Sequence, residues 1–352
     1  MLVTLADHRM FLSIHGVNIR LYTDSSFLIE AASHLLGHFD CRESPQASAL
    51  EVALTAVEQR GQVPLQIPCS AKRLYQGSGI PKGDVETTTW RCDIFADGAR
   101  LIADFHDEGL ITIDGTTNSV KGWIVRPERM SLDVRASFVH FAIVELAKRG
   151  GLFTLHATAL ERDGQGVLIP GFSGRGKTTS FLSLLRSGYR YLSDDHPFFR
   201  LTEQGVELLP YPLKINVTDR TVDFFPELRE APASILRPGI PKRFFYAEQL
   251  YPWPLGRPCV PRLILFPQVI DAPYSCLEPL SKKQALELIL PHSLLVFDPL
   301  VAKREFQALS RLVSMTDCYR LHFGRDVLEL PSLVTPLLQG MNSSGEPRHE
   351  TR

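Results

Sequence analysis

Apolar and polar positions mostly alternate over residues 11–22. Alternation of this kind predicts a strand or a hairpin, because successive side chains of a strand point to opposite faces. The period then changes, and apolar residues recur three and four positions apart over residues 27–36, after the capping residues Ser25 and Ser26. This spacing predicts a helix that ends near residue 39.

The pattern returns to that of strands over residues 90–123, where Asp97-Gly98 and Asp114-Gly115 are turn signals. We interpret this stretch as an antiparallel meander. Residues 131–148 then place apolar side chains on one helical face, and Gly150-Gly151 ends the helix that joins the two halves of the chain. We therefore predict an N-terminal α+β domain over residues 1–130, with a provisional role in substrate recognition.

The second half of the chain alternates strands with helices, which is typical of an α/β domain. The predicted elements are a strand at 152–160, a turn at 163–166, a strand at 166–170, a glycine-rich loop at 171–178, a helix at 178–187 and a short strand at 189–193. We assign residues 131–340 to this domain. The polar tail, residues 341–352, is predicted to be frayed.

Nine prolines fall between residues 238 and 279, interleaved with aromatic residues. Because proline fixes φ and lacks an N–H group, this density predicts an irregular segment with one short strand at residues 262–266. Two interpretations stay open, a packed irregular cover and a lid that binds substrate. Further helices are predicted at residues 281–290 and 302–314.

Charge and composition narrow the classes of protein to consider. The chain of 352 residues carries 38 Lys plus Arg against 39 Asp plus Glu, a formal net charge of −1. This balance gives no bulk field for nucleic acid or an anionic membrane, so we predict neither as a partner, and phosphate recognition has to be local. No apolar run approaches the ~18–20 residues that cross a bilayer, and charges interrupt the N-terminus before a signal peptide can form, so we expect a cytoplasmic protein. The six cysteines form no close pair, which disfavours a zinc site and a disulfide framework.

The glycine-rich loop carries the main chemical signal. Its sequence, Gly171-Phe172-Ser173-Gly174-Arg175-Gly176-Lys177-Thr178, fits the phosphate-binding pattern G-x-x-x-x-G-K-[ST]. Glycines let successive backbone N–H groups face a phosphate, the lysine neutralises phosphate oxygens, and the threonine offers a hydroxyl to Mg²⁺. A strand before the loop and an amphipathic helix after it favour nucleotide binding over a plain glycine turn. The predicted nucleotide-binding residues are Gly171, Ser173, Gly174, Arg175, Gly176, Lys177, Thr178 and Thr179.

An acidic pair, Asp194-Asp195, ends the short strand that follows this helix. Beside the loop, one carboxylate could help to hold Mg²⁺ and the other could accept a proton from an attacking hydroxyl. The alternative is that the pair caps a helix or stabilises the turn before Pro197. His156 lies in the strand before the loop, where a lone histidine is more often a core residue than a functional one.

Together, His156, the glycine-rich loop and the Asp194-Asp195 pair resemble the kinase domain of HPr kinase/phosphorylase and its related kinases, which share a phosphate-loop fold with phosphoenolpyruvate carboxykinase. The resemblance covers residues 155–197, with His156 fifteen residues before Gly171 and Asp194 twenty-three after it. It implies that Asp194 is the general base for the acceptor hydroxyl and that His156 hydrogen-bonds to Asp194 and tunes it. It further implies that Asp195 and Thr178 bind the metal.

Two departures separate the chain from HPr kinase proper. Thr179 stands where the family usually has a glutamate, which removes a carboxylate near the metal. Residues 213–220 also lack the glycine-containing signature of the bifunctional enzyme. These differences argue against reverse phosphorylase activity and against HPr as the acceptor. The chain looks more similar to diverged relatives that phosphorylate seryl groups of peptides or free serine.

We therefore predict an ATP- and Mg²⁺-dependent kinase that transfers the γ-phosphoryl group to a Ser or Thr hydroxyl of a peptide or protein, with Lys177 among its catalytic residues. A small-molecule kinase for serine or a sugar and a nucleotide-gated regulatory protein without transfer stay open. We expect Lys242 and Arg243 to supply further positive charge next to the transferring phosphoryl group, with Arg175 and Lys214 as second candidates. Members of the family assemble, so a homo-oligomer is also open.

Overall fold

The computed structural model describes residues 8–41, 50–77, 92–172, 174–230, 234–235, 242–252, 255–293 and 298–340. The chain divides into two compact units, Met1–Phe153 with Val296–Lys303 and Thr154–Leu295 with Arg304–Arg352. Within the described ranges no helix is both long and apolar enough to cross a membrane. The predicted tail, residues 341–352, and the start of the predicted meander, residues 90–91, lie outside the described residues.

In the first unit, the described residues form an eight-stranded sheet with helices beside it. The strands are β1 His8–Ile14, β2 Val17–Thr23, β3 Leu50–Val57, β4 Lys72–Gln76, β5 Asp93–Asp97, β6 Arg100–Asp104, β7 Gly109–Asp114 and β8 Ser119–Val125, and the helices are α1 Ser26–Leu36 and α2 Leu132–Arg149. The strand order is β1-β2-β3-β8-β7-β6-β5-β4. The β2–β3 and β3–β8 pairs are parallel.

The hairpin and the meander predicted for this unit are confirmed. Strands β1 and β2 pair antiparallel, with His8 opposite Thr23 and Ile14 opposite Val17. Alternate residues of each strand are buried, as the sequence pattern requires of a sheet with one covered face. Strands β5 to β8 pair antiparallel in succession.

Helix α2 belongs to the first unit, whereas the predicted domain boundary at residue 130 lies before it. Its buried face packs against α1 and against strands of the eight-stranded sheet. Phe138, on that face, is fully buried and stacks edge-to-face on Phe105 with 4.9 Å between ring centroids. Because the first unit covers this face, the two units divide after the helix, at Phe153.

The second unit is a mixed α/β structure that contains several sheets. Its elements are β10 Ala157–Arg162, β11 Gln165–Pro170, α3 Lys177–Arg186, β12 Arg190–Asp195, β13 Phe198–Thr202, β14 Gly205–Leu209, β15 Ile215–Thr218, α4 Asp219–Phe224, α5 Glu227–Glu230, β16 Ser234–Ile235, β17 Lys242–Phe245, α6 Ala247–Leu250, β18 Val260–Val269, β19 Cys276–Pro279, α7 Lys282–Ile289, β20 Asp317–Phe323 and α9 Leu330–Gly340. Strand β9 Phe153–Thr154 and helix α8 Pro299–Met315 cross the division between the units.

The main sheet of the second unit has the order β12-β10-β11-β18-β20-β19 among the described residues. The β11–β18 and β18–β20 pairs are parallel, and β12 and β11 flank β10 antiparallel. Consequently the glycine-rich loop after β11 and the acidic pair at the end of β12 lie near the same end of the sheet. A smaller sheet has the order β15-β17-β16.

The single strand predicted at residues 152–160 is wrong, because the chain forms two short strands, β9 and β10, separated by Leu155 and His156. Leu155 makes an isolated bridge to Ser293, and the backbone N–H of His156 donates to the carbonyl oxygen of His292 over 2.8 Å. Leu155 is buried, so the apolar pattern continues through the break. His156 therefore lies at a bend rather than inside a strand.

The proline-rich segment holds more regular structure than predicted. The strand expected at residues 262–266 extends over the whole of β18, and β17, α6 and β19 also fall in this segment. Pro261 lies beside a register shift between β11 and β18, and Pro267 lies beyond Ile264, where pairing with β11 ends. The missing N–H of proline is tolerated at bulges and where one side of a strand is unpaired, so these prolines do not interrupt β18. The helices predicted farther along are confirmed as α7 and α8.

Helix α3 packs on the main sheet through a buried apolar face. Phe181 is fully buried, and its ring lies edge-to-face with Tyr191 of β12 at 5.6 Å between centroids. Leu184 and Leu185 are buried in the same core cluster. Burial of such side chains contributes roughly 1.5–3 kcal/mol each, so packing fixes the start of α3 against β12.

Truncation of this contact tests the packing. Phe181→Ala should lower the free energy of unfolding by about 3–5 kcal/mol, because it leaves a cavity in the core. Phe306→Ala is the matched control, since Phe306 is 49% exposed on α8, and it should change that free energy by less than about 0.5 kcal/mol. Urea unfolding followed by circular dichroism measures both, and equal losses would contradict the packing of α3.

Candidate functional site

The glycine-rich loop turns sharply between β11 and α3. Gly174 and Gly176 have φ values of +80° and +91°, in the left-handed region that side chains other than glycine rarely enter. A Cβ atom at Gly176 would lie 3.1 Å from the ring of Phe323 and 3.2 Å from a methyl group of Val269. Glycine is thus required at position 176 by the backbone and by close packing against the ends of β18 and β20.

A cavity of about 470 Å³ opens beside this loop. The predicted site residues that line it are Gly174, Gly176, Lys177, Thr178, Thr179, His156, Asp194 and Asp195. Gly171 and Arg175 do not line it, and Arg175 is exposed. Ser173 lies outside the described residues.

Asp195 is held from two sides. Lys177 Nζ bonds to Asp195 Oδ1, and His156 Nε2 lies 3.0 Å from the same oxygen. Burial alone would raise the pKa of Asp195, but the Lys177 charge and the His156 hydrogen bond hold this pKa well below its usual value. Asp195 is therefore ionised at neutral pH. The resemblance implied that His156 hydrogen-bonds to Asp194, whereas the structure places its ring on Asp195, because Ala157, the next residue, is paired with Asp195 in the β10–β12 register.

Asp194 has a different environment. Its side chain is buried, and Oδ2 accepts the backbone N–H of Asn216 at 3.2 Å. Within the described part of the chain, Asp194 Oδ1 has no hydrogen-bond partner. The pKa of Asp194 is raised to about 6, chiefly by burial, and the Lys177 charge opposes this rise while the Asp195 charge adds to it. The carboxyl thus changes its charge close to neutrality, as a general base should.

The backbone brings both carboxyl groups to one cavity. Consecutive residues of a regular strand point to opposite faces, yet Asp194 and Asp195 both line the cavity. Asp195 has a φ of 92°, a conformation that costs a non-glycine residue about 1–3 kcal/mol. The backbone N–H of Asp194 also donates to the Tyr191 hydroxyl at 3.3 Å, and this hydroxyl donates to the carbonyl oxygen of Leu213. The surrounding contacts hold the strained turn in place.

Behind His156 lies a buried histidine that the sequence pattern did not single out. His292 is 7% exposed, and its ring centroid lies 4.3 Å from that of Phe172. Burial is the main cause that lowers the pKa of His292 to about 4, and the charges of His156 and Lys177 contribute to this shift. His292 is therefore neutral at physiological pH, and it adds no charge next to Lys177.

The structure separates the predicted basic residues. Lys242 lines the cavity, but Arg243 forms an ion pair with Asp219, with Nε 3.1 Å from Oδ1. Lys214 Nζ lies 4.7 Å from the ring centroid of Phe244 and does not line the cavity. Arg220 and Arg325 line it and were missed by sequence reasoning. Consecutive residues of β17 point to opposite faces, which explains why only one of Lys242 and Arg243 reaches the cavity.

Strand β15 supplies a polar wall that sequence reasoning also missed. Asn216 and Thr218 line the cavity, whereas Ile215 and Val217 are fully buried in the core. Thr218 lies opposite Lys242 in the β15–β17 register, so their side chains share one face of the small sheet. Polar and apolar residues alternate strictly over these four positions, and this pattern in the sequence could have predicted the polar wall.

The second unit is thus a mixed α/β structure in which a glycine-rich loop, a buried lysine and two carboxyl groups meet at one cavity. No family model matches the chain. A curated protein, the HPr kinase/phosphorylase of Lachnoclostridium phytofermentans, is 30% identical over 104 residues, which is 30% of this chain and 30% of that protein. The match therefore spans less than a third of that relative's length.

Among solved structures, the Hpr(Ser) kinase/phosphatase from Coxiella burnetii is 14% identical and covers 55% of this chain and 99% of its own, with a TM-score of 0.26. A TM-score this low adds no support for a shared fold. Over these 104 residues the chain is similar to HPr kinase/phosphorylase, in agreement with the resemblance seen in the motifs.

The two carboxyl groups should affect stability with opposite signs. The pKa of Asp194 is raised to about 6, so its ionised form destabilises the native state and this cost grows as pH rises from near 4 through 6. Asp194→Asn should therefore stabilise the protein by about 1–3 kcal/mol at about pH 8, and the gain should vanish below about pH 4. The pKa of Asp195 is lowered, so its ion pair with Lys177 stabilises the native state above its unfolded pKa, and Asp195→Asn should destabilise it at about pH 8.

Urea unfolding at both pH values measures these changes. If both variants lose stability at the higher pH, the assignment of Asp194 as the carboxyl with the raised pKa is wrong.

Proposed function

We propose that this chain is a kinase that transfers the γ-phosphoryl group of ATP to a Ser or Thr hydroxyl of a peptide or protein. The observation that carries the proposal is Asp194, a buried carboxyl group next to the loop lysine, with one oxygen that has no partner in the described part of the protein. The curated relative is named as a kinase of a protein, HPr, which supports a protein or peptide acceptor.

The residues present fit a nucleotide with Mg²⁺. Asp195 is ionised, and it lines the cavity together with Thr178, whose side chain carries a hydroxyl oxygen. These are hard oxygen donors of the kind that Mg²⁺ prefers, and this ion usually takes few protein ligands because phosphates and waters complete its shell. When bound, Mg²⁺ neutralises charge on the phosphates. Thr178 and Asp195 would hold it.

The residues that line the cavity are of two kinds. Asp194, Asn216 and Lys242 are polar, and we assign the acceptor to them because the candidate base is among them. Val269 and Phe323, at the ends of β18 and β20, are apolar, and we assign the nucleoside to them. We assign the phosphates to the glycine-rich loop and to the positive N-terminal end of α3.

The chemistry follows from these positions. The acceptor oxygen attacks the γ-phosphorus, the bond from this phosphorus to the bridging oxygen breaks, and ADP leaves with that electron pair. Asp194 Oδ1 takes the hydroxyl proton as the new O–P bond forms. Lys177 leaves Asp195 for the phosphate oxygens and stabilises their charge together with Lys242. His156 keeps the Asp195 carboxylate oriented.

Two other functions use the same site. A small-molecule kinase for serine or a sugar differs only in the acceptor, and a nucleotide-gated regulatory protein would hydrolyse ATP slowly without transfer. The raised pKa of Asp194 favours transfer, because a protein that only binds nucleotide has no need of a buried, titratable base.

Removal of the base tests transfer directly. Incubation with γ-labelled ATP, Mg²⁺, Ser- and Thr-containing peptides and products of neighbouring genes should place label on an acceptor. Asp194→Asn should lower kcat/KM about 10²–10⁴-fold with nucleotide affinity unchanged. The wild-type kcat/KM should fall as pH drops through about 6, since only the ionised carboxyl accepts the proton.

The pattern of label separates the alternatives. Label only on serine or a sugar would indicate the small-molecule kinase. Slow ATP hydrolysis with no labelled acceptor, unchanged by Asp194→Asn, would indicate the regulatory protein.

The neighbours Lys242 and Arg243 give a matched pair for the phosphoryl-stabilising role. Lys242→Met should lower kcat about 10²-fold, because a positive charge near the transferring group is lost. Arg243→Met should leave kcat within about 3-fold of the wild-type value, because Arg243 pairs with Asp219 and exposed ion pairs contribute little. Single-turnover transfer assays measure both rates, and similar losses would contradict the assignment of Lys242.

A further inference from the structure

Asn216 carries a buried oxygen that is left without a donor. Within the described residues, Asn216 Oδ1 is buried and has no hydrogen-bond partner, and its residue lines the cavity. A buried polar atom without a partner costs about 1–3 kcal/mol, so such atoms are rare in native proteins. An atom of this kind next to a candidate base indicates a ligand that supplies the missing donor.

Asn216 lies next to the candidate base. The backbone N–H of Asn216 is bonded to Asp194 Oδ2 at 3.2 Å, and both residues line the cavity. Asp194 Oδ1 also has no partner among the described residues. Two neighbouring residues of the cavity therefore each have an oxygen that needs a donor, and under the proposed function the acceptor hydroxyl satisfies only Asp194.

We assign the second donor to the same acceptor molecule, because Asn216 lies next to the residue that takes its hydroxyl proton. Among the described residues, the atoms of Asp194 and Asn216 that lack a partner are both hydrogen-bond acceptors. A second hydroxyl, as in a sugar, would donate to Asn216 but would bring its own lone pairs next to the carboxylate. A nitrogen donor brings no such lone pair. Seryl and threonyl groups carry a nitrogen donor on the carbon next to the one that bears the hydroxyl.

We propose that Asn216 is a specificity residue that accepts a hydrogen bond from the nitrogen next to the acceptor hydroxyl, and so selects seryl or threonyl groups over other alcohols. This inference rests on the proposed kinase function and narrows its acceptor. The nitrogen can be the backbone N–H of a peptide or the ammonium group of a free amino acid, and the two sources share this chemistry.

Paired probes test the contact. The amide pair is N-acetyl-L-serine methylamide and 2-O-acetylglyceric acid methylamide. The free pair is L-serine and glycerate. In the second compound of each pair, oxygen replaces the nitrogen. With γ-labelled ATP and Mg²⁺, the wild-type protein should prefer a nitrogen probe about 10- to 100-fold in kcat/KM. Asn216→Leu should bring this preference to about 1, whereas Asn216→Asp, which keeps an oxygen at the same place, should retain it.

The pair that shows the preference identifies the source of the nitrogen donor. A preference within the amide pair indicates a peptide acceptor, and a preference within the free pair indicates a free amino acid. Equal use of nitrogen and oxygen probes by the wild type overturns the inference, and so does a preference that survives Asn216→Leu. Unchanged affinity for ADP with Mg²⁺ shows that each variant is folded.

A binding measurement separates this inference from the proposed function. Saturation-transfer NMR of each probe, with ADP and Mg²⁺ present, needs no phosphoryl transfer. Binding of a nitrogen probe that is lost in Asn216→Leu, without any transfer of label, supports the contact and contradicts the kinase. Label on acceptors with no effect of Asn216 supports the kinase and overturns the contact. Absence of both label and probe binding overturns the contact.

Discussion

The contact between Lys177 and Asp195 makes two adjacent carboxyl groups different from each other. The lysine is buried at the start of α3, and together with His156 it holds Asp195 ionised. Asp194 keeps the cost of burial without an equivalent partner, so its pKa rises. The two carboxyl groups thus differ near neutral pH, because one is ionised and the other has a raised pKa, and this is the difference that the proposed metal binding and base catalysis use.

The fold of the second unit brings Lys177 and Asp195 together. Strand β10 lies between β11, which leads into the glycine-rich loop, and β12, which ends in the acidic pair, so the loop and the pair meet at one end of the sheet. Packing of Phe181 on Tyr191 fixes α3, and hence Lys177, against β12. The left-handed turn at Asp195 then brings both carboxyl groups to the cavity. Strain of this kind persists only where the surrounding packing holds it, and it is frequent at functional sites.

Local sequence patterns predicted much of this arrangement. The loop motif, its flanking strand and helix, and an acidic pair one helix later were readable because each depends on short-range spacing. The break at His156 was not readable, since Leu155 bridges to the distant Ser293 while its burial continues the apolar pattern. Long-range register also decided that Lys242 faces the cavity while Arg243 pairs with Asp219, and it placed Asn216 beside Asp194.

The two carboxyl groups should titrate unequally, and NMR can observe this directly. In protein labelled with ¹³C at the aspartate carboxyl carbons, the Asp194→Asn and Asp195→Asn variants assign the two resonances. We expect the Asp194 resonance to titrate with a midpoint near pH 6 and the Asp195 resonance to stay that of a carboxylate well below its usual pKa. Two ordinary titrations near pH 4 would contradict the claim that this cavity contains one carboxyl group with a raised pKa beside a carboxylate held by Lys177.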